Sequence, residues 1–141
     1  MPAMLCRFRL AALAVALGPC LGPAAAIAGP VEIVSATARA DGDGFWTFTV
    51  TLRHDDTGWS HYADGWAVIA PDGRVLGVRE LLHPHVREQP FTRSLSRVEI
   101  PPTIDEVFIR ARTNKEGWSE TTYRLGLRPP SRRPSISQPE R

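Results

Sequence analysis

Trp46-Thr47-Phe48-Thr49-Val50-Thr51-Leu52-Arg53 places large apolar side chains on one parity and threonines closed by an arginine on the other. A two-residue period belongs to a strand with one buried and one wet face, and β-branched threonine suits the wet face. Working outward, the chain continues as strands and turns, with no helical periodicity sustained over three turns. Upstream, Val31–Arg39 reads as a strand, and Asp41-Gly42-Asp43-Gly44 as a turn whose glycines tolerate positive φ. Downstream, Trp66–Ala70 and Arg74–Leu82 read as a hairpin around Pro71-Asp72-Gly73. Phe91–Ile100 follows, with Phe91, Arg93 and Leu95 on one parity, and Pro101-Pro102 ends it for want of amide donors. Glu106–Arg112 and Trp118–Leu127 complete the series around Asn114-Lys115-Glu116-Gly117.

Seven short antiparallel strands in about a hundred residues predict an all-β, seven-stranded antiparallel sandwich of immunoglobulin or fibronectin type III kind. The segment Val107–Ser119, an alternating strand ending Ala111-Arg112-Thr113-Asn114 before a glycine turn, resembles the penultimate strand and last turn of fibronectin type III domains. Trp66 would suit the core tryptophan of such a sandwich.

The ends of the chain read differently. Arg7 and Arg9 precede an apolar run from Leu10 to Leu21, and small residues follow to Gly29, which is the layout of a secretory signal cut after Ala28. Residues 1–28 are therefore expected to be a signal peptide, 29–127 the β-sandwich domain and 128–141 a disordered Pro/Arg-rich tail. The mature protein would be periplasmic or secreted, with no transmembrane segment. Leu17-Gly18-Pro19-Cys20 loosely matches a lipidation site, but Pro19 directly before Cys20 fits one poorly, so a lipid anchor is not expected.

Both cysteines, Cys6 and Cys20, leave with that signal. The domain then has no disulfide and no soft metal ligand, and any metal must be held by nitrogen and oxygen. From 29 to 127 there are eleven Arg and Lys against fourteen Asp and Glu, a net charge of −3; the tail has four against one. The overall positive charge thus sits at the ends, and no basic face on the domain suggests a nucleic acid partner.

Strands that reverse in succession alternate their connections between two ends. Residues 54–65, 83–90 and 113–117 should share one end, and the tight turns at 40–44, 71–73 and 101–104 the other. All four histidines, His54, His61, His83 and His85, fall in the first set, beside Asp55, Asp56, Asp64 and Glu88. His83-Pro84-His85 in an extended backbone projects two imidazoles to one side. The pattern suggests a transition-metal site with His54, His61, His83 and His85 as ligands, Zn²⁺ or Cu²⁺ as the ion, and Asp55, Asp56, Asp64 or Glu88 completing the coordination sphere or orienting an imidazole. A blue-copper centre is excluded for want of cysteine.

Two other readings stay open. Asp55, Asp56 and Ser60 beside Gly58 can cap turns, and Arg79, Arg87 and Arg93 near Glu80 and Glu88 can form a structural ion-pair network. Alternatively, Trp59 and Tyr62, with Asp56 and Asp64 nearby, offer a metal-free surface to a protein, peptide or glycan. Catalysis has little support. Ser60 beside His61 lacks an elbow motif, and no phosphate loop or dinucleotide fingerprint is present.

The segments His54-Asp55-Asp56-Thr57-Gly58-Trp59, His61-Tyr62-Ala63-Asp64-Gly65-Trp66, His83-Pro84-His85 and Glu88-Gln89-Pro90-Phe91-Thr92-Arg93-Ser94-Leu95 are similar to those of a group of small exported bacterial proteins. The resemblance spans roughly residues 31 to 113. It implies secretion and a compact domain, and it assigns no catalytic role.

Overall fold

The computed structural model describes residues 29–127; the expected signal peptide, Cys20 and the tail lie outside them. The described residues form β1 (Glu32–Gly42), β2 (Phe45–Arg53), β3 (Ala63–Ile69), β4 (Val75–Glu80), β5 (Phe91–Glu99), β6 (Glu106–Thr113) and β7 (Gly117–Gly126), with no helix among them. Two antiparallel sheets result, one ordered β1-β2-β5 and the other β4-β3-β6-β7.

The alternation in β2 does what its sequence dictates. Phe48, Val50 and Leu52 are buried, while Thr49 and Thr51 bond across the ladder to Ser94 and Thr92 through their hydroxyls on the wet face. From the second sheet Trp66, Val68, Val107, Ile109 and Ala111 reach the same core cluster, so both sheets turn their apolar faces to one interior. Burying that apolar area is the main favourable term, since the described domain carries no disulfide.

Three details depart from the sequence expectation, each for a local reason. β3 begins at Ala63 rather than Trp66, because Ala63 pairs with Thr113 and extends the ladder to the loop end. β4 ends at Glu80, with one further bond in the same register: the Leu81 amide donates to the Asp64 carbonyl, next to the Gly65–Glu80 pair, and Leu81 is buried while Leu82 is exposed. In β5 the parity shifts, because Trp46 pairs with Val98 but Phe48 with Leu95, and Arg97 at φ 60° takes up the extra residue. Leu95 and Val98 can then both face inward. Gly77 makes room for them, since a methyl group at its Cα would stand 3.0 Å from Leu95 and 3.2 Å from Val98.

β4 and β5 are each the last strand of their sheet, and they approach along one open side. The 81–90 connection crosses between them.

Trp66 is completely buried between the sheets. Trp66→Ala is expected to lower unfolding stability by about 3–5 kcal/mol in urea titration. A loss of about 0.5 kcal/mol or less, the range of surface positions, would mean that Trp66 does not anchor the core.

Candidate functional site at the loop pole

The connections after β2, β4 and β6 meet at one end of the domain. Their meeting is seen in direct bonds: the His85 amide donates to Asp56 Oδ2 at 2.7 Å, His61 Nε2 lies 2.7 Å from Glu116 Oε2, and the Asn114 amide donates to the Tyr62 carbonyl at 3.1 Å.

Asp56 is the centre of this pole. Oδ1 stands 2.6 Å from His54 Nδ1 and accepts the Ala63 amide at 3.0 Å, while Oδ2 accepts the His85 amide. The side chains of His54 and Asp56 are both fully buried. Because both carboxylate oxygens already face amide donors, the imidazole bond is made by Nδ1–H donating, which assigns the tautomer from the network. His54 Nε2 is left buried with no partner. A second tie runs beside the first: the His54 amide donates to Gln89 Oε1 at 3.1 Å, and Gln89 Nε2 donates to the His85 carbonyl at 3.1 Å.

His61 packs edge-on against His54 with ring centres 4.9 Å apart. Its partner Glu116 also accepts from the Thr113 hydroxyl, and these two bonds hold the Glu116 carboxyl below the usual range, the hydroxyl more than the imidazole. His83 and His85 lie side by side, 4.6 Å between centres, and His85 stacks on Phe91 at 3.9 Å and 9°. His85 is 3 % exposed, and neither ring nitrogen has a hydrogen-bond partner. Burial lowers its pKa below the ordinary imidazole value; the Arg93 guanidinium and then His83 push the same way, against weaker opposition from Glu88 and Asp56.

Trp59 stands outside this network at 68 % exposure. The turn beneath it is tied on every side: the Thr57 amide donates to the His61 carbonyl at 3.0 Å, the His61 amide returns to the Gly58 carbonyl at 3.2 Å, and Asn114 Nδ2 holds the Trp59 carbonyl at 3.0 Å. Gly58 at φ 131° permits the reversal. Tyr62 meets the indole edge-on at 5.7 Å, and its own amide donates to Asn114 Oδ1.

The structure thus gathers the histidines as two pairs on one pole, but their nitrogens do not form an evident coordination sphere. Among the described residues, no group of three or more His, Cys, Asp or Glu side chains is arranged to hold a metal ion. His54 Nδ1 is committed to Asp56 and His61 Nε2 to Glu116. Asp64 is drawn away to Arg112, whose Nε donates to it at 2.8 Å; Glu80 joins the same guanidinium, which also lies 5.1 Å from the Trp118 ring. Glu88 holds Arg93 through both oxygens. The His54–Asp56 pair has no exposed side-chain surface, whereas Ser60, beside His61, is exposed.

Sequence reasoning left Glu116, Asn114 and Gln89 out of the site, since nothing local marks the first two as partners of a loop 55 and 52 positions away, or Gln89 as the partner of His54, 35 positions away. Arg93 carried a readable signal. It shares parity with Phe91 and Leu95, hence the inner face.

A 41 % identical match covers 87 residues of the chain, 62 % of its length, and belongs to a protein of Halomicrobium mukohataei whose name reads "Putative lipoprotein". The chain spans 42 % of that relative's length. No family model matches the chain, and no solved structure matches it.

His85 supplies a pH prediction. With its folded pKa depressed, the unfolded chain binds more protons just below the ordinary value of 6.5, so stability is full above that pH and falls as pH drops from there towards the folded pKa. NMR titration of the His85 ring should give a midpoint under 6.5, and a midpoint above it would contradict the burial described.

Proposed function

We propose that the protein is an exported interaction domain, a fibronectin type III-like sandwich that presents Trp59 and Tyr62 to a protein, peptide or glycan partner. The observation that carries this reading is the exposure of Trp59 on a turn whose neighbours are all hydrogen-bonded. An indole left in water gains nothing for folding, and a rigid backbone lets it bind with little ordering cost. Aromatic anchors of this kind carry a large share of binding energy at interfaces.

Two features support the architecture and the location. The fourth strand lies beside the third, whereas constant-type immunoglobulin domains keep it on the sheet of the first, second and fifth, which favours the fibronectin type III variant. The relative's printed name, together with the signal-like residues 1–28, supports export. That name also lends no support to the expectation against lipidation at Cys20, so a lipid anchor there belongs within the proposal as an alternative to release. Among the described residues, no helix is long and apolar enough to cross a membrane.

The metal reading retains one favourable observation, the unpartnered nitrogens of His54 and His85. Against it, Arg93 lies close enough to His85 to depress its proton affinity, and would likewise repel a cation. Zn²⁺ and Cu²⁺ are therefore expected to bind the wild-type protein no more tightly than a variant with His83→Ala and His85→Ala, by calorimetric titration. Loss of tight binding in the double variant would restore the metal site.

For the interaction reading, a panel of cell-envelope glycans and peptides should contain a ligand whose binding alters Trp59 fluorescence. Trp59→Ala should weaken that binding by about 2 kcal/mol, roughly 30-fold, with stability changed by no more than about 0.5 kcal/mol. Undiminished binding by Trp59→Ala would remove the reading.

A further inference from the structure

We propose that the open side between β4 and β5 is a binding site for a small oxyanion, held by Arg79, Arg93 and His85. Neither the Trp59 surface nor its partner enters this inference.

The pairing registers place both arginines on inner faces. Arg79 lies across the ladder from the fully buried Trp66, and Arg93 lies across from the buried Val50. Each is therefore on the face that its strand turns towards the core, at the edge where the two sheets approach. A cavity of about 130 Å³ opens there, and its lining includes Arg79, Arg93, His83 and His85. That volume holds about four waters at ~30 Å³ each. It suits one phosphate-sized group and falls short of the several hundred Å³ that larger ligands require.

The lining is rich in donors without acceptors. Arg79 Nε is buried with no hydrogen-bond partner, and among the described residues its guanidinium has no ion pair. Both nitrogens of His85 are unpartnered; a neutral imidazole always carries one N–H, so at least one buried donor there has no acceptor. Such groups are costly to bury unsatisfied. A ligand that brings several acceptor oxygens and a negative charge answers them together, and guanidinium forks match oxyanions well.

Two carboxylates lie nearby and must be accounted for. Glu80 also lines the cavity, but its carboxylate is held by Arg112 at 3.0 Å. Glu88 is on Arg93, with bonds of 3.2 and 3.0 Å. It acts as an internal anion that covers one of the two guanidiniums, leaving Arg79 uncovered. Arginines turned inward on edge strands also discourage sheet-to-sheet aggregation. That role alone would not call for a buried imidazole with two unpartnered nitrogens in the same cavity.

The test is titration of the purified protein with sodium phosphate against sodium chloride at matched ionic strength, followed by calorimetry and by NMR of the arginine Nε and histidine ring nitrogens. Phosphate should bind saturably, with shifts centred on Arg79 and His85. Arg79→Gln and Arg93→Gln should each weaken binding about tenfold or more, the worth of a hydrogen bond to a charged group. Glu88→Gln should strengthen it several-fold by releasing Arg93, a gain that a folding defect could not produce. A methyl phosphate arm separates sources: tighter binding than inorganic phosphate points to a phosphate ester on a larger molecule, and weaker binding to the free ion. If phosphate binds no better than chloride to both the wild type and Glu88→Gln, or if both arginine variants bind it unchanged, the site does not exist and the arginines only guard the sheet edges.

Discussion

Asp56 accepts three hydrogen bonds inside the protein, from the His54 ring, the Ala63 amide and the His85 amide, and the arrangement of the loop pole depends on them. Taking a carboxylate out of water costs several kcal/mol unless its oxygens are fully answered. Here every donor comes from a different part of the chain: the residue just beyond β2, the first residue of β3, and the connection between β4 and β5. Satisfying one charge therefore fixes where the first loop enters its sheet and where the long connection crosses the open side. Gln89 reinforces the same junction with weaker, neutral bonds.

With that junction fixed, the exposed features acquire fixed positions. The turn that carries Trp59 sits between His54 and Ala63, both held by Asp56, and Asn114 steadies it from the β6–β7 side. His85 is seated by its own amide and by stacking on Phe91, which keeps its ring beside Arg93 without any polar partner of its own. The buried network is thus the support, and the exposed Trp59 indole and the cavity lined by Arg79, Arg93 and His85 are its neighbours. Separation of the two explains why four histidines on one pole need not be a metal centre. Each pair has been given a different structural setting.

Much of this was legible in the chain. The Trp46–Leu52 alternation fixed one face of a sheet, the Gly and Pro turns delimited seven strands, and alternation of connections foretold that His54 and His85 would share an end. Less could be read of the site itself. Asp56 looked like any loop carboxylate, because what distinguishes it is burial, and burial depends on loops brought together across the fold. Asp64 seemed equivalent to Asp56 in sequence, yet it lies one residue into β3 and turns to Arg112 on β6. Arg93 announced its inward direction through parity with Phe91 and Leu95. Arg79 did not, since the irregular register of β3 with β4 hides which parity of β4 faces the core.

The role given to Asp56 is tested most directly by amide hydrogen exchange in Asp56→Ala, which removes both acceptor oxygens. The account predicts that the Ala63 and His85 amides lose protection together, while amides of β2 and of β6 in the core retain theirs. Unchanged protection at Ala63 and His85 in a folded variant would contradict it, and the loop pole would then be held by something other than this carboxylate.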